Sequence, residues 1–157
     1  PVSSAELMIG KVLPYIGMGA VQVLIVLGVA RWVFAVPMLG SYPLLFAMVA
    51  VFVVSLATMG YLISTVARNQ MQALQMTFFF FLPSILLSGF MFPFRGMPQW
   101  AQVIGNLLPL THFLRIVRGI MLKGNGLEEV VLQLWQIALF ALVVLMIGVK
   151  RYRQTLD

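Results

Sequence analysis

LLFAMVAVFVVSLATMGYLISTVA, from Leu44 to Ala67, carries no charged residue and stops at Arg68, Asn69 and Gln70. About 20 apolar residues cross the roughly 30 Å hydrocarbon core of a bilayer as a helix, so this stretch is long enough to span. Inside lipid every backbone amide needs an internal partner, which leaves helices or a closed barrel. Barrel strands alternate polar and apolar residues over about 10 positions. The stretch shows no such alternation, and the fold it dictates is helical.

The whole chain has the same character. Of its 157 residues 62% are hydrophobic and 9% charged, against about 45–50% and 25% in soluble domains. Its mean hydropathy is +1.04. A water-soluble globule is excluded. Residues 12–30 form a first uncharged run between Lys11 and Arg31, with Pro14 in its opening turn. The second run occupies 44–67 and the third 71–92; the fourth span, 128–149, opens with Glu128 and Glu129 in its first turn, is uncharged from Val130 to Val149, and ends at Lys150, Arg151 and Arg153. Residues 1–11 and 150–157 then form a polar lead-in and a tail. The expected fold class is an all-α integral membrane bundle of four spans. The chain starts at Pro1 and its first apolar run is followed by three others, which reads as a piece of something longer and not as a signal peptide.

The connections differ in kind. Pro37 to Pro43, with Gly40 and Ser41, reads as a turn. Spans two and three are joined so briefly that they should be antiparallel neighbours. Residues 93–126 are broken by Pro93, Pro98 and Pro109 yet stay apolar. They read as two short interfacial or re-entrant helices. In the second, Phe113, Leu114, Ile116, Val117, Ile120 and Met121 fall within about 160° of a helical wheel, with Arg115 and Arg118 opposite. Arg31 and Trp32 mark an interface.

Charge and composition limit the chemistry. The net charge of +6 is scattered between apolar runs, which suits anionic lipid headgroups and not nucleic acid. There is no cysteine, and hence no disulfide or thiolate metal site. Counting Lys and Arg by side sets Lys11, Arg68, Lys150, Arg151 and Arg153 against Arg31, Arg95, Arg115, Arg118 and Lys123, a tie. The three basic residues directly after the fourth span favour termini inside. His112 is the only histidine and has no carboxylate near it in sequence, so it reads as structural or interfacial, without the partners of a catalytic dyad or metal site. No carboxylate lies deep inside a span, Glu128 and Glu129 being at the start of the fourth, which argues against a proton relay.

Three residue groups remain as candidates. Pro83, Ser84, Ser88 and Gly89 form either a hinge on a pathway or a kink with a small-residue packing face, the serines being available to satisfy freed carbonyls. Phe78 to Phe81 face lipid or a neighbouring helix, and Gly60 with Ser64 suits close helix packing. Arg68 and Asn69 belong to a turn. From the residues alone, a transport subunit, a passive channel or scaffold subunit, and a membrane-embedded lipid-modifying enzyme all stay open.

The segments SAELMIGKVLPY (Ser4 to Tyr15), ISTVARNQ (Ile63 to Gln70), FFFFLPSILLSGFMFP (Phe78 to Pro93) and PLTHFLRIVRGIMLK (Pro109 to Lys123) together resemble the permease subunit of an ABC-2 type exporter, most of all the bacterial inner-membrane drug-efflux subgroup. The resemblance implies the last four of six spans. Residues 1–11 would trail an acidic cytoplasmic segment that meets an ATPase, with Glu6, Lys11, Arg68 and Asn69 on the ATPase-facing side. It implies that residues 93–126 lie outside, with His112, Arg115 and Arg118 in an outer gate. Partners would be an ABC ATPase carrying ATP and Mg, a second permease copy and a periplasmic adaptor. The chain itself has no GxxxxGK[ST] phosphate loop, so it would bind no cofactor, and lipophilic substrates such as drugs would leave by alternating access.

Overall fold

The structure, a computed structural model, describes residues 4–156, with side chains for 6, 7 and 9–151. The first three residues of the lead-in, the Arg153 side chain and Asp157 lie outside the described residues. Six α-helices follow in order: α1 (Ser4–Trp32), α2 (Tyr42–Val66), α3 (Gln70–Leu87), α4 (Gln99–Asn106), α5 (Pro109–Lys123) and α6 (Leu127–Leu156), with a 3-10 turn at Phe94–Gly96 before α4. Among the described residues there is no strand. Four helices, at Ile9–Trp32, Tyr42–Val66, Gln70–Leu87 and Leu127–Arg151, are long and apolar enough to cross a membrane. The protein is a multi-pass membrane bundle. At about 1.5 Å per residue α4 and α5 are roughly 12 and 22 Å long, too short to cross.

Helix limits depart from the apolar runs in two places. The lead-in is helical from Ser4, so Pro14 sits inside α1 and not in its first turn. Glu6 and Lys11 end the apolar run without ending the helix, because the helix extends past hydrocarbon into the polar zone. The third run stays apolar to Phe92, but α3 ends at Leu87 with Ser88 as its C-cap and Gly89 at φ +92°. That left-handed glycine is a helix stop which hydropathy alone does not register.

Helices α2 and α6 form the central pair, running parallel. Leu45 and Met48 near the start of α2 share one core with Val130 and Ile137 of α6 and with Ile116 and Ile120 of α5. Towards the other end, a Cβ on Gly148 of α6 would come within 2.9 Å of the Tyr61 ring of α2, so this glycine is what lets the two helices meet. Gly60 and Ser64 do not play that part: both are exposed, no atom lies near the Gly60 position, and the Ser64 hydroxyl donates to the Tyr61 carbonyl of its own helix at 2.7 Å. Gly60 and Ser64 point away from α6, which sequence spacing could not tell.

The remaining spans are peripheral. α1 lies along α2, with Gly19 over Val49 and Val53. α3 buries only Ser84, and Phe80 meets Phe140 of α6 at a centroid distance of 6.1 Å while Phe78, Phe79 and Phe81 stay exposed. Such apolar exposure faces lipid in a membrane.

The α1–α2 loop and the α5–α6 turn meet at one end of the bundle. Leu39 N donates to the Met121 carbonyl at 2.9 Å, and Gly40 lies so close to Ile120 that a Cβ there would strike its backbone carbonyl oxygen. The α2–α3 turn and the end of α6 are therefore at the opposite end. Asn69 caps α3 there by accepting from Gln72 N at 2.8 Å, and Gln72 Oε1 accepts in return from Arg68 N at 2.6 Å.

Candidate functional site: a polar cluster at one end of the bundle

The short helices exist because of their punctuation. Pro98 immediately precedes α4 and Pro109 opens α5, where a missing amide donor costs nothing. Gly124 closes α5 at φ +68°. A Cβ on Gly105 would strike the Leu87 carbonyl oxygen, so α4 presses directly on the end of α3. The Thr111 hydroxyl donates to the Gly105 carbonyl at 2.5 Å, which folds α4 back on α5.

His112 stands at the centre, 2% exposed. Its Nε2 is 2.7 Å from the Asn106 carbonyl oxygen and its Nδ1 is 2.7 Å from Gln133 Oε1. A carbonyl only accepts, so Nε2 carries the proton. The Gln133 side-chain amide, which carries both an acceptor oxygen and a donor nitrogen, is the partner of Nδ1. The ring thereby ties the α4–α5 hairpin to the first turns of α6.

The arginines turn inward as well. Arg115 donates to Asn106 Oδ1 at 3.2 Å and lies 4.8 Å above the Phe94 ring, a cation–π contact. Partial burial lowers the Arg115 pKa from its usual value. Arg118 donates to the Gly89 carbonyl at 3.3 Å. Arg115 and Arg118 thus each hold down part of segment 88–106, which runs from the end of α3 to the end of α4. The buried face of α5 is His112, Ile116, Gly119 and Ile120. It is rotated towards the polar side of the expected apolar arc, leaving Leu114 and Met121 partly exposed, because His112 and Gly119 face α6 and the turn after α5.

The structure joins two of the three predicted groups. Gly89 of the hinge set and Arg118 of the gate set are in contact, and Ser84 and Ser88 are buried beside them in sequence at 5% and 4% exposure. Ser84 Oγ donates to the Phe80 carbonyl at 2.8 Å and Ser88 Oγ to Ile85 at 3.4 Å. Neither reaches the Phe79 carbonyl, the one that Pro83 leaves without its amide partner. Glu6, Lys11, Arg68 and Asn69 are exposed on helix ends and turns away from this cluster. Sequence reading missed Asn106, Gln133 and Phe94. Gln133 carried a signal, a polar amide inside an apolar span; Asn106 and Phe94 carried none.

Among the described residues no group of His, Asp or Glu could hold a metal ion. No solved structure matches the chain. The probable multidrug ABC transporter permease YbhS of Escherichia coli is 35% identical over 94% of this chain and 39% of its own length. YbhR of the same organism is 35% identical over 86% of this chain and 37% of its own. ABC transporter G family member 20 of Dictyostelium discoideum is 32% identical over 81% of this chain and 17% of its own. The chain spans about two fifths of the bacterial relatives. The family model for the ABC-2 type transporter matches residues 1–122, and the chain belongs to that family.

Proposed function

We propose that the chain is the pathway-forming part of the permease of an ATP-driven exporter, carrying a lipophilic substrate such as a drug out of the cell by alternating access. The observation that supports this most is the family match over residues 1–122, joined to the 35% identity with two permeases described as probable multidrug transporters. In this reading the permease acts with an ABC ATPase that binds and hydrolyses ATP with Mg, with a second permease copy, and with a periplasmic adaptor. It sits in the inner membrane with Arg68 and Asn69 towards the cytoplasm beside Glu6 and Lys11, facing the ATPase. The α4–α5 hairpin is the outer gate.

The cluster suggests how such a gate is worked. Movement of α6 is passed through Gln133 and His112 to the hairpin, and Arg118 carries it to Gly89 at the end of α3. Pro83 and Gly89 are the places where α3 gives.

The test is reconstitution of the full-length permease with its ATPase. Stimulation of ATP hydrolysis by lipophilic compounds is the expected result. Conductance without ATP, and no stimulation, would replace the exporter by a passive channel. For orientation, a cysteine at Arg68 should be labelled only from the cytoplasm and one at Lys123 only from outside.

A further inference from the structure

An open groove of about 410 Å³ lies where the end of α3 meets the start of α4. Leu86 and Leu87 of α3, Phe92 and Met97 of the connection, and Trp100 of α4 line it together with Gly96. The wall is apolar side chains, proline and glycine, with the indole N–H of Trp100 its one side-chain polar group, so it offers little to hold a polar solute. It suits hydrocarbon.

One charge stands beside it. Arg95 occupies the 3-10 turn between the lining residues Pro93 and Gly96 and is exposed. Arg115 and Arg118 are engaged by Asn106, Phe94 and Gly89. Arg95, by contrast, has no hydrogen bond, ion pair or ring contact among the described residues. No carboxylate occurs in the sequence between Glu6 and Glu128, so nothing in this stretch of chain neutralises it. The turn follows the end of a membrane-crossing helix, the depth at which acyl chains give way to headgroups. An arginine there lays its stem on apolar surface and extends its guanidinium to the phosphate level.

We propose that this groove is a lipid site: it holds part of an acyl chain of one membrane phospholipid, and Arg95 takes the phosphate of the same molecule. The neighbouring face of the protein fits such an occupant, since Phe90, Phe92 and Trp100 are all more than half exposed around it, the phenylalanines offering apolar surface to acyl chains and the tryptophan favouring the headgroup level. A bound lipid here would brace the α3–α4 joint that Arg118 and Gly105 also hold. The inference needs a protein in a bilayer and does not depend on the exporter reading.

Two substitutions separate the halves of the site. Arg95→Gln removes the charge, and the fold loses no contact with it. Gly96→Leu fills the groove from a position where an added Cβ meets no atom within 4 Å. The measurement uses the full-length protein in detergent with two fluorescent probes of equal chain length, a phosphatidylglycerol and a glucosyl diacylglycerol without phosphate. The parent should bind phosphatidylglycerol about fivefold to tenfold more tightly than the sugar lipid, as one charge-assisted contact allows. Arg95→Gln should abolish that preference while still binding both weakly, Arg95→Lys should restore part of it, and Gly96→Leu should lose both probes, all at an unchanged thermal midpoint. Equal binding of the two probes by the parent overturns the phosphate assignment. Undiminished phosphatidylglycerol binding by Arg95→Gln overturns the site.

Discussion

His112 Nδ1 and Gln133 Oε1 are 2.7 Å apart across twenty-one residues of sequence, and this contact joins the hairpin of α4 and α5 to a membrane-crossing helix. Leucine at position 133 fills similar space and offers no hydrogen bond, leaving one nitrogen of a buried imidazole unpaired. Gln133→Leu should destabilise the protein by about 1–3 kcal/mol. His112→Ala should cost a similar amount, and the double variant less than the sum, because the second change removes a group already orphaned. Thermal denaturation of the four proteins measures the coupling. Additive losses would show that the pair contributes no mutual energy.

Close approach at Gly40 and open space at Gly60 make a matched pair. A Cβ on Gly40 would strike the backbone carbonyl of Ile120, which cannot swing aside as a side-chain tip would. Gly40→Ala should therefore destabilise by about 1–3 kcal/mol and loosen the α1–α2 loop from α5. Gly60→Ala, with nothing within 4 Å, should be neutral or slightly stabilising through helix propensity, provided nothing outside this chain packs on it. Expression level and thermal midpoint in detergent read both.

The four spans were legible because hydrocarbon demands long uncharged runs, and Leu44 to Ala67 meets that demand with no alternative reading. What hydropathy cannot register is where backbone geometry changes inside apolar sequence. Phe90 to Phe92 are as apolar as α3 itself, yet Gly89 at φ +92° has already ended the helix. The candidate cluster was half legible. Periodicity found α5 and its two arginines but gave them to solvent, because their partners lie elsewhere in the chain, Gly89 and Phe94 in the irregular connection after α3 and Asn106 at the end of α4. Gln133 is one polar residue in a span, and only the fold places it opposite His112.

Pro83 lies inside α3, where its missing amide leaves the Phe79 carbonyl without its helical partner. Pro83→Ala should straighten and stiffen the helix while leaving insertion intact. If α3 bends there during transport, efflux by the full-length protein should fall at equal expression. Unchanged efflux would make Pro83 a packing feature alone.

Arg115 and Arg118 differ from Ile116 and Ile120 in what their loss leaves behind. The arginines hold Asn106, the Phe94 ring and the Gly89 carbonyl from half-buried or exposed positions. Each of these contacts is worth about 1 kcal/mol or less once water or lipid headgroups can replace it. Arg115→Ala with Arg118→Ala should thus fold and associate with the ATPase, but free segment 88–106 to move against α5 and alter transport. Ile116 and Ile120 are 2% and 0% exposed in the core shared with Leu45 and Val130. Aspartate at both places an unpaired charge among apolar side chains, at a cost of several kcal/mol per site, and the protein should fail to accumulate. Expression, co-purification of the ATPase and efflux are compared for the two double variants. Equal tolerance of both would overturn the inward face assigned to α5 and the gate with it, whereas loss of transport in the arginine variant alone, at parental expression, assigns the hairpin a role in the transport cycle.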